Sequence, residues 1–144
     1  MIAMLKNHLR PLPHGTFASS ALLLLRLVAG VAFVLHGTGK IQNPFGWMPG
    51  GNIPGVFQFL AAISEFGGGI AWIIGLVTPV AALGIAFTML VASGMHALVM
   101  HDPFVSTGGA SFEPALLYFA VAVVLMGVGP GKFSLDWKIF GART

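Results

Sequence analysis

Four long apolar segments determine what this chain can fold into. They cover residues 19–39, 56–77, 79–100 and 112–128, and each approaches or reaches the roughly 20 residues that an α-helix needs to cross the hydrocarbon core of a bilayer. Of the 144 residues, 56% are hydrophobic and 8% are charged, against about 25% charged residues in soluble domains. The sequence therefore predicts an all-α integral membrane protein, a four-helix bundle of antiparallel up-down spans with short connections.

The remaining residues form the connections and the tails. Residues 42–55 carry three prolines and four glycines, and residues 101–111 carry one proline and two glycines, so both segments are predicted to be loops. Thr78 alone separates the second and third spans, which predicts a tight helical hairpin. The chain then divides into a flexible or interfacial N-terminal tail (1–18), a four-span membrane domain (19–137) and a C-terminal tail (138–144).

The distribution of charge indicates a membrane topology, and it gives no reason to expect a nucleic-acid partner. Of the seven Lys and Arg residues, two precede the first span and three follow the fourth. By the positive-inside rule, both termini are predicted to be cytoplasmic and both longer loops to face outward. The absence of cysteine excludes thiolate metal sites and disulfide exchange. The sequence also contains no dinucleotide fingerprint and no P-loop.

Glu65 is the residue that a membrane span accommodates least easily. It lies beside three consecutive glycines in an apolar run, where a carboxylate needs a partner, a proton or a water-filled cavity. At about 1.5 Å of rise per residue, Arg26 of the first span lies at a similar depth. We predict that Arg26 and Glu65 pair, either to fix the register of two helices or to form the charged floor of a ligand pocket.

Most other polar side chains gather in the outer half of the predicted bundle. His36 and His96 lie at matching depths, while Asp102, which precedes a proline, is typical of a turn. These positions predict a pocket that is open to the outer side. Its candidate residues for ligand binding or proton transfer are Arg26, His36, Lys40, Gln58, Glu65, His96 and Glu113.

Three uses of this pocket remain open on the residues alone, and none assigns a catalytic residue. A quinone site needs an apolar slot and a few groups that bind the carbonyls and move protons. A metal or haem site, the less favoured alternative, would use His36 and His96 with His101 or Glu113 as a further ligand. A small-solute carrier would use Arg26 and Glu65 as a gate.

Five short motifs, in this order, resemble the DoxX family of small bacterial membrane proteins. They are RLVAG from Arg26, HGTGK from His36, EFGGG from Glu65, GLVTP from Gly75 and GPGKFSLD from Gly129. The resemblance implies a four-helix bundle in the bacterial inner membrane. It also implies a family pattern on Arg26, His36, Gly37, Lys40, Glu65 and Glu113.

The family takes its name from subunits associated with a thiosulfate:quinone oxidoreductase, so the resemblance implies a quinone-linked component of a membrane redox system. In this interpretation Arg26 and Glu65 form the floor of the pocket, while His36, Lys40 and Glu113 bind or protonate the ligand. The alternative is a non-catalytic membrane partner or a small-solute carrier. The partners to consider are the lipid bilayer, a redox partner subunit and a second copy of the chain.

Overall fold

The computed structural model of the protein describes residues 9–50 and 53–143, and every regular element in these ranges is helical. The prediction of an all-α fold is confirmed. Residues 1–8 of the predicted N-terminal tail and Thr144 lie outside the described residues. The helices are α1 (Thr16–Gln42), α2 (Gly55–Ile74), α3 (Thr78–Gly94) with a π-helical turn (Met95–Val99), α4 (Glu113–Val128) and the short α5 (Leu135–Phe140).

The three long helices match the first three predicted spans. By length and composition, α1, α2 and α3 with its π-helical turn are able to cross a bilayer, while α4 is a shorter apolar helix of 16 residues. Many apolar side chains point away from the bundle, and several are more than 60% exposed. A surface of this kind suits lipid and not water. Examples are Leu24, Val28, Leu35, Phe87 and Leu117.

The helices pack in chain order, α1 against α2, α2 against α3 and α3 against α4. Phe33 of α1 closes the bundle, because its ring meets Trp72 of α2 and Tyr118 of α4 in edge-to-face contacts with centroids 5.5 and 4.9 Å away. Phe33 and Trp72 are almost fully buried. The core therefore lies along the centre of the bundle, where all four apolar helices meet.

Glycines allow α1 and α2 to touch backbone to backbone. A Cβ atom on Gly30 would lie 2.8 Å from the carbonyl oxygen of Gly69, and one on Gly69 would lie 2.8 Å from the carbonyl oxygen of Gly30. A Cβ atom on Gly37 would lie 2.5 Å from the backbone nitrogen of Phe66. Small residues of this kind are what membrane helices use for close association, so these glycines set the distance between α1 and α2.

Arg26 lies at the tail end of the bundle, which we define as the end that carries residues 9–15 and 129–143. Its guanidinium is fully buried and donates to the carbonyl oxygens of Trp72 (3.0 Å), Ile73 (3.5 Å) and Phe133 (2.5 Å). The first two carbonyls belong to the last turn of α2, where backbone acceptors lack helical partners. The predicted pairing of Arg26 with Glu65 is therefore wrong.

Asp136 lies at the tail end, next to the turn between α2 and α3. Its carboxylate accepts hydrogen bonds from the backbone N–H groups of Val77 (2.6 Å) and Thr78 (2.8 Å), at the start of α3. A negative charge at a helix N-terminus is favourable, and Asp136 is also close enough to Arg26 for a favourable charge interaction. The segment that follows α4 thus folds back and holds the hairpin of α2 and α3 closed.

The N-terminal segment packs at the same end. Pro11 is buried, and the ring of His14 is hydrogen-bonded to the carbonyl oxygen of Val128 at 3.0 Å. The backbone N–H of Arg143 donates to the carbonyl oxygen of Pro11 at 2.8 Å. Residues from both ends of the described chain therefore meet beside the end of α4.

The close contact at Gly37 leads to a stability prediction. Gly37→Ala forces α1 away from Phe66, and overpacking of this kind costs about 1–3 kcal/mol. Gly39→Ala is the matched control on the same helix, because a Cβ atom at Gly39 meets nothing within 4 Å. We expect a lower melting temperature in detergent for Gly37→Ala alone. Equal melting temperatures for the two variants would contradict the backbone contact.

A second prediction concerns Asp136. Asp136→Asn removes the charged acceptor of the Val77 and Thr78 N–H groups, and hydrogen bonds to a charged group contribute about 1.5–3 kcal/mol. Lys138→Ala, on the exposed side of α5, is the control. Thermal unfolding in detergent, followed by size-exclusion chromatography, should show a large loss for Asp136→Asn. A loss no larger than that of the control would refute the role assigned to Asp136.

Candidate functional site

A cavity of about 230 Å³ lies between the helices towards the loop end of the bundle, which we define as the end that carries residues 43–50, 53–54 and 100–112. Four of the predicted site residues line it, namely His36, Lys40, Glu65 and His96. The structure thus brings together side chains from α1, α2 and the π-helical turn. The rest of the lining is mostly apolar and consists of Phe33, Met89, Ala92, Ser111, Pro114, Ala115 and Tyr118.

Glu65 and Lys40 form an ion pair at the cavity wall. Lys40 Nζ lies 2.6 Å from Glu65 Oε1, and the two side chains are 25% and 3% exposed. Lys40 Nζ also lies 4.6 Å from the centre of the Trp47 ring, which gives a cation–π contact. Sequence analysis was right that Glu65 needs a partner, but the partner is Lys40.

The second oxygen of Glu65 is available for another interaction. Among the residues that the structure describes, Glu65 Oε2 is buried and has no hydrogen-bond partner. A buried carboxylate oxygen without a donor is costly. Because Glu65 lines the cavity, a donor on a molecule in the cavity would satisfy this oxygen.

His96 also lines the cavity and lies in the π-helical turn that follows α3. Its Nδ1 is 2.7 Å from Asp102 Oδ2, and the backbone N–H of Asp102 donates to the carbonyl oxygen of His96 at 2.9 Å. The ring is therefore held through Nδ1. Nε2 is the ring nitrogen that is left for an interaction in the cavity.

Gln58 shapes the loop end without lining the cavity. Its Oε1 accepts from the backbone N–H of Met48, and its Nε2 donates to the carbonyl oxygen of Ile53. The indole N–H of Trp47 donates to the backbone carbonyl of Gln58 at 2.8 Å. Gln58 thus fixes the loop that places Trp47 beside Lys40.

The other predicted residues also lie outside the cavity lining. Glu113 is exposed in the first turn of α4. His101 is exposed and has a positive φ of 55°, which is uncommon for a residue with a side chain. Arg26 lies at the tail end. Among residues 9–50 and 53–143, no group of three His, Asp or Glu side chains is arranged to hold a metal ion.

Two residues of the site, Asp102 and Tyr118, were not predicted as such from the sequence. Asp102 was assigned to a turn, because Pro103 follows it. Tyr118 could have been predicted as a site residue, because it is the single tyrosine of the chain and lies five residues after Glu113 on the fourth span.

The Lys40–Glu65 pair leads to a double-mutant prediction. Lys40→Met leaves Glu65 buried and unpaired, so we expect a strong loss of stability, about 3–5 kcal/mol. Lys40→Met combined with Glu65→Gln removes both charges and should recover a large part of that loss. The melting temperatures of the two single variants and the double variant in detergent measure the coupling. Additive losses would show that the two side chains do not depend on each other.

Comparisons with known proteins identify the family. The family model described as DoxX matches residues 21–102. The chain is 31% identical over 119 residues to the inner membrane protein YqjF of Escherichia coli, which covers 79% of this chain and 88% of the relative. It is 28% identical over 108 residues to a Bacillus subtilis protein named "Putative oxidoreductase CatD", covering 73% and 78% of the two chains.

An uncharacterized protein of Haemophilus influenzae is 34% identical over 125 residues, covering 83% of this chain and 90% of the relative. No solved structure gives a significant match. The family match and the three apolar helices agree with a multi-pass protein of the inner membrane. The chain belongs to the DoxX family.

Proposed function

We propose that this protein is a component of a membrane redox system and binds a quinone in the cavity at the loop end. The observation that carries the proposal is the buried Glu65 Oε2, which lacks a donor and lies at a cavity with otherwise mainly apolar walls. The name of the Bacillus subtilis relative, an oxidoreductase, supports the same direction. A quinone ring has the matching combination of apolar faces and polar oxygens.

The charged residues of the cavity suit both redox forms of such a ligand. A quinone carbonyl only accepts hydrogen bonds, and Lys40 and His36 are able to donate them. A quinol hydroxyl is a donor as well, and Glu65 Oε2 is an acceptor without a partner. The site therefore offers hydrogen-bonding partners to both the oxidised and the reduced ring.

The size of the cavity limits the ligand to a single ring or a similar group. Sites for drug-sized molecules measure about 300–1,000 Å³, whereas this cavity measures about 230 Å³. Phe33, Met89 and Tyr118 provide apolar and aromatic contacts for the ring. The isoprenoid tail of a membrane quinone would lie outside the cavity, among the exposed apolar side chains and the lipid.

The orientation follows from the positive-inside rule. With both tails in the cytoplasm, as the positions of Lys and Arg suggest, the loop end and the cavity face the outer side of the inner membrane. A solute carrier would need a path onward to the tail end. Phe33, Trp72, Ile85 and Leu125 fill the centre of the bundle and are at most 1% exposed, so a carrier would have to rearrange this core to release a solute at the tail end, and we favour the quinone site.

Quinone binding is tested with the purified protein in lipid nanodiscs. A short-chain benzoquinone should quench the fluorescence of Trp47, which lies beside Lys40, and Trp47→Phe should remove most of the signal. Glu65→Gln removes a charged acceptor worth about 1.5–3 kcal/mol, so the corresponding quinol should bind about tenfold more weakly or worse.

Lys138→Ala provides the control and should bind as the wild type does. Native mass spectrometry of protein extracted in mild detergent should also show a quinone bound to the wild type and not to Glu65→Gln. Protein that carries only ordinary lipids, and does not respond to benzoquinone or naphthoquinone, would refute the proposal and favour a non-catalytic membrane partner.

A further inference from the structure

We infer that Asp102 is a positioning residue that holds His96 as the proton acceptor of the cavity and connects the bound ligand with the water at the loop end. This inference rests on the proposed function, because the proton comes from the hydroxyl of a quinol-type ligand. It assigns different roles to two pairs of ionisable residues at the cavity. Glu65 and Lys40 bind the ligand, and His96 with Asp102 exchanges its proton.

The backbone at the end of α3 is built so that these two side chains meet. In a regular α-helix, positions six residues apart face in different directions. Here the helix widens into a π-helical turn at Met95–Val99, and His101 turns the chain back with a φ of 55°. Single π-helical turns are frequent at functional sites. Both irregularities lie in the short segment that joins His96 to Asp102, whose carboxylate lies 2.7 Å from His96 Nδ1.

The hydrogen bond selects one form of the neutral imidazole. A carboxylate is only an acceptor, so the 2.7 Å contact keeps the ring proton on Nδ1 and leaves the lone pair on Nε2. Nε2 is then a proton acceptor for a hydroxyl in the cavity. Without Asp102, either nitrogen of the ring is able to carry the proton.

The His96–Asp102 pair is more exposed than Glu65. The side chains of His96 and Asp102 are 35% and 20% exposed, whereas Glu65 is 3% exposed and engaged by Lys40. The more exposed edge of His96 and Asp102 is therefore the side on which the inferred transfer hands the proton on to the loop end. Lining residues on the other helices that present ionisable groups to this cavity are His36, Lys40, Glu65 and Tyr118.

The transfer itself is a balanced acid–base step. The O–H bond of the ligand breaks, its electron pair stays on the ligand oxygen, and a new N–H bond forms at His96 Nε2. The resulting imidazolium carries a positive charge beside the negative carboxylate of Asp102, which stabilises it. When the ring returns to the neutral form, the proton passes to water at the exposed edge of the pair.

Nitrogen NMR of protein labelled with ¹⁵N-histidine, in nanodiscs, tests the positioning role. We expect His96 of the wild type to carry its proton on Nδ1 when neutral. Asp102→Asn should change this to a mixture or to the Nε2-protonated form, and Asp102→Glu should restore it in part. Glu113→Gln is the control, because this exposed carboxylate has no hydrogen bond to His96. An unchanged His96 signal in Asp102→Asn would overturn the inference.

A binding measurement separates this inference from the proposed function. Asp102→Asn should weaken binding of a short-chain quinol about tenfold, while binding of the quinone, which has no proton to give, should change little. Equal binding of both ligands by wild type and Asp102→Asn would overturn the role of Asp102 and leave the proposed function standing. Failure of the wild type to bind either ligand would overturn the proposed function, and the proton transfer with it.

Discussion

The cost of placing a charge inside a membrane protein determines most of this structure. Arg26 and Glu65 both lie in apolar helices, and each is fully or almost fully buried. The two terminal nitrogens of Arg26 donate to backbone carbonyls of α2 and of Phe133, and Asp136 lies nearby, while its Nε has no hydrogen-bond partner among the described residues. Glu65 is satisfied on one oxygen by Lys40 and has no partner on the other. The tail end is thus held closed, and the loop end keeps an unused acceptor beside a cavity.

The sequence was sufficient to predict the class of fold and the positions of the four apolar helices, including α4 at Glu113–Val128, because apolar segments of this length have few alternatives. It was not sufficient to predict the partner of Arg26. Rise per residue gives the depth of a side chain but not its direction around the helix axis. Arg26 also donates to the carbonyl oxygen of Phe133, which lies in the segment between α4 and α5. The sequence of that segment has no hydrophobic periodicity that would predict its packing against the end of α2.

The candidate site was predicted in part for the same reason. His36, Lys40, Glu65 and His96 were expected to share one region and they line the same cavity in the structure, since a common depth towards one end is enough to bring side chains close together. The link between His96 and Asp102 depends on a π-helical turn and on one residue with positive φ. Neither has a recognisable sequence pattern, so the sequence indicated only a turn at Asp102, before Pro103, and not its contact with His96.

The short glycine motifs explain why the ion pair forms where it does. Gly37 allows α1 to approach the backbone of Phe66, and Lys40 follows Gly37 by three residues while Glu65 precedes Phe66 by one. The contact between the two helices therefore brings Lys40 and Glu65 to within 2.6 Å. A wider separation of α1 and α2 would leave Glu65 unpaired in an apolar environment, which is strongly unfavourable. The small residues and the charges of HGTGK and EFGGG therefore depend on each other. The close approach of α1 and α2 lets Lys40 stabilise the buried carboxylate, and that carboxylate is the acidic group of the cavity.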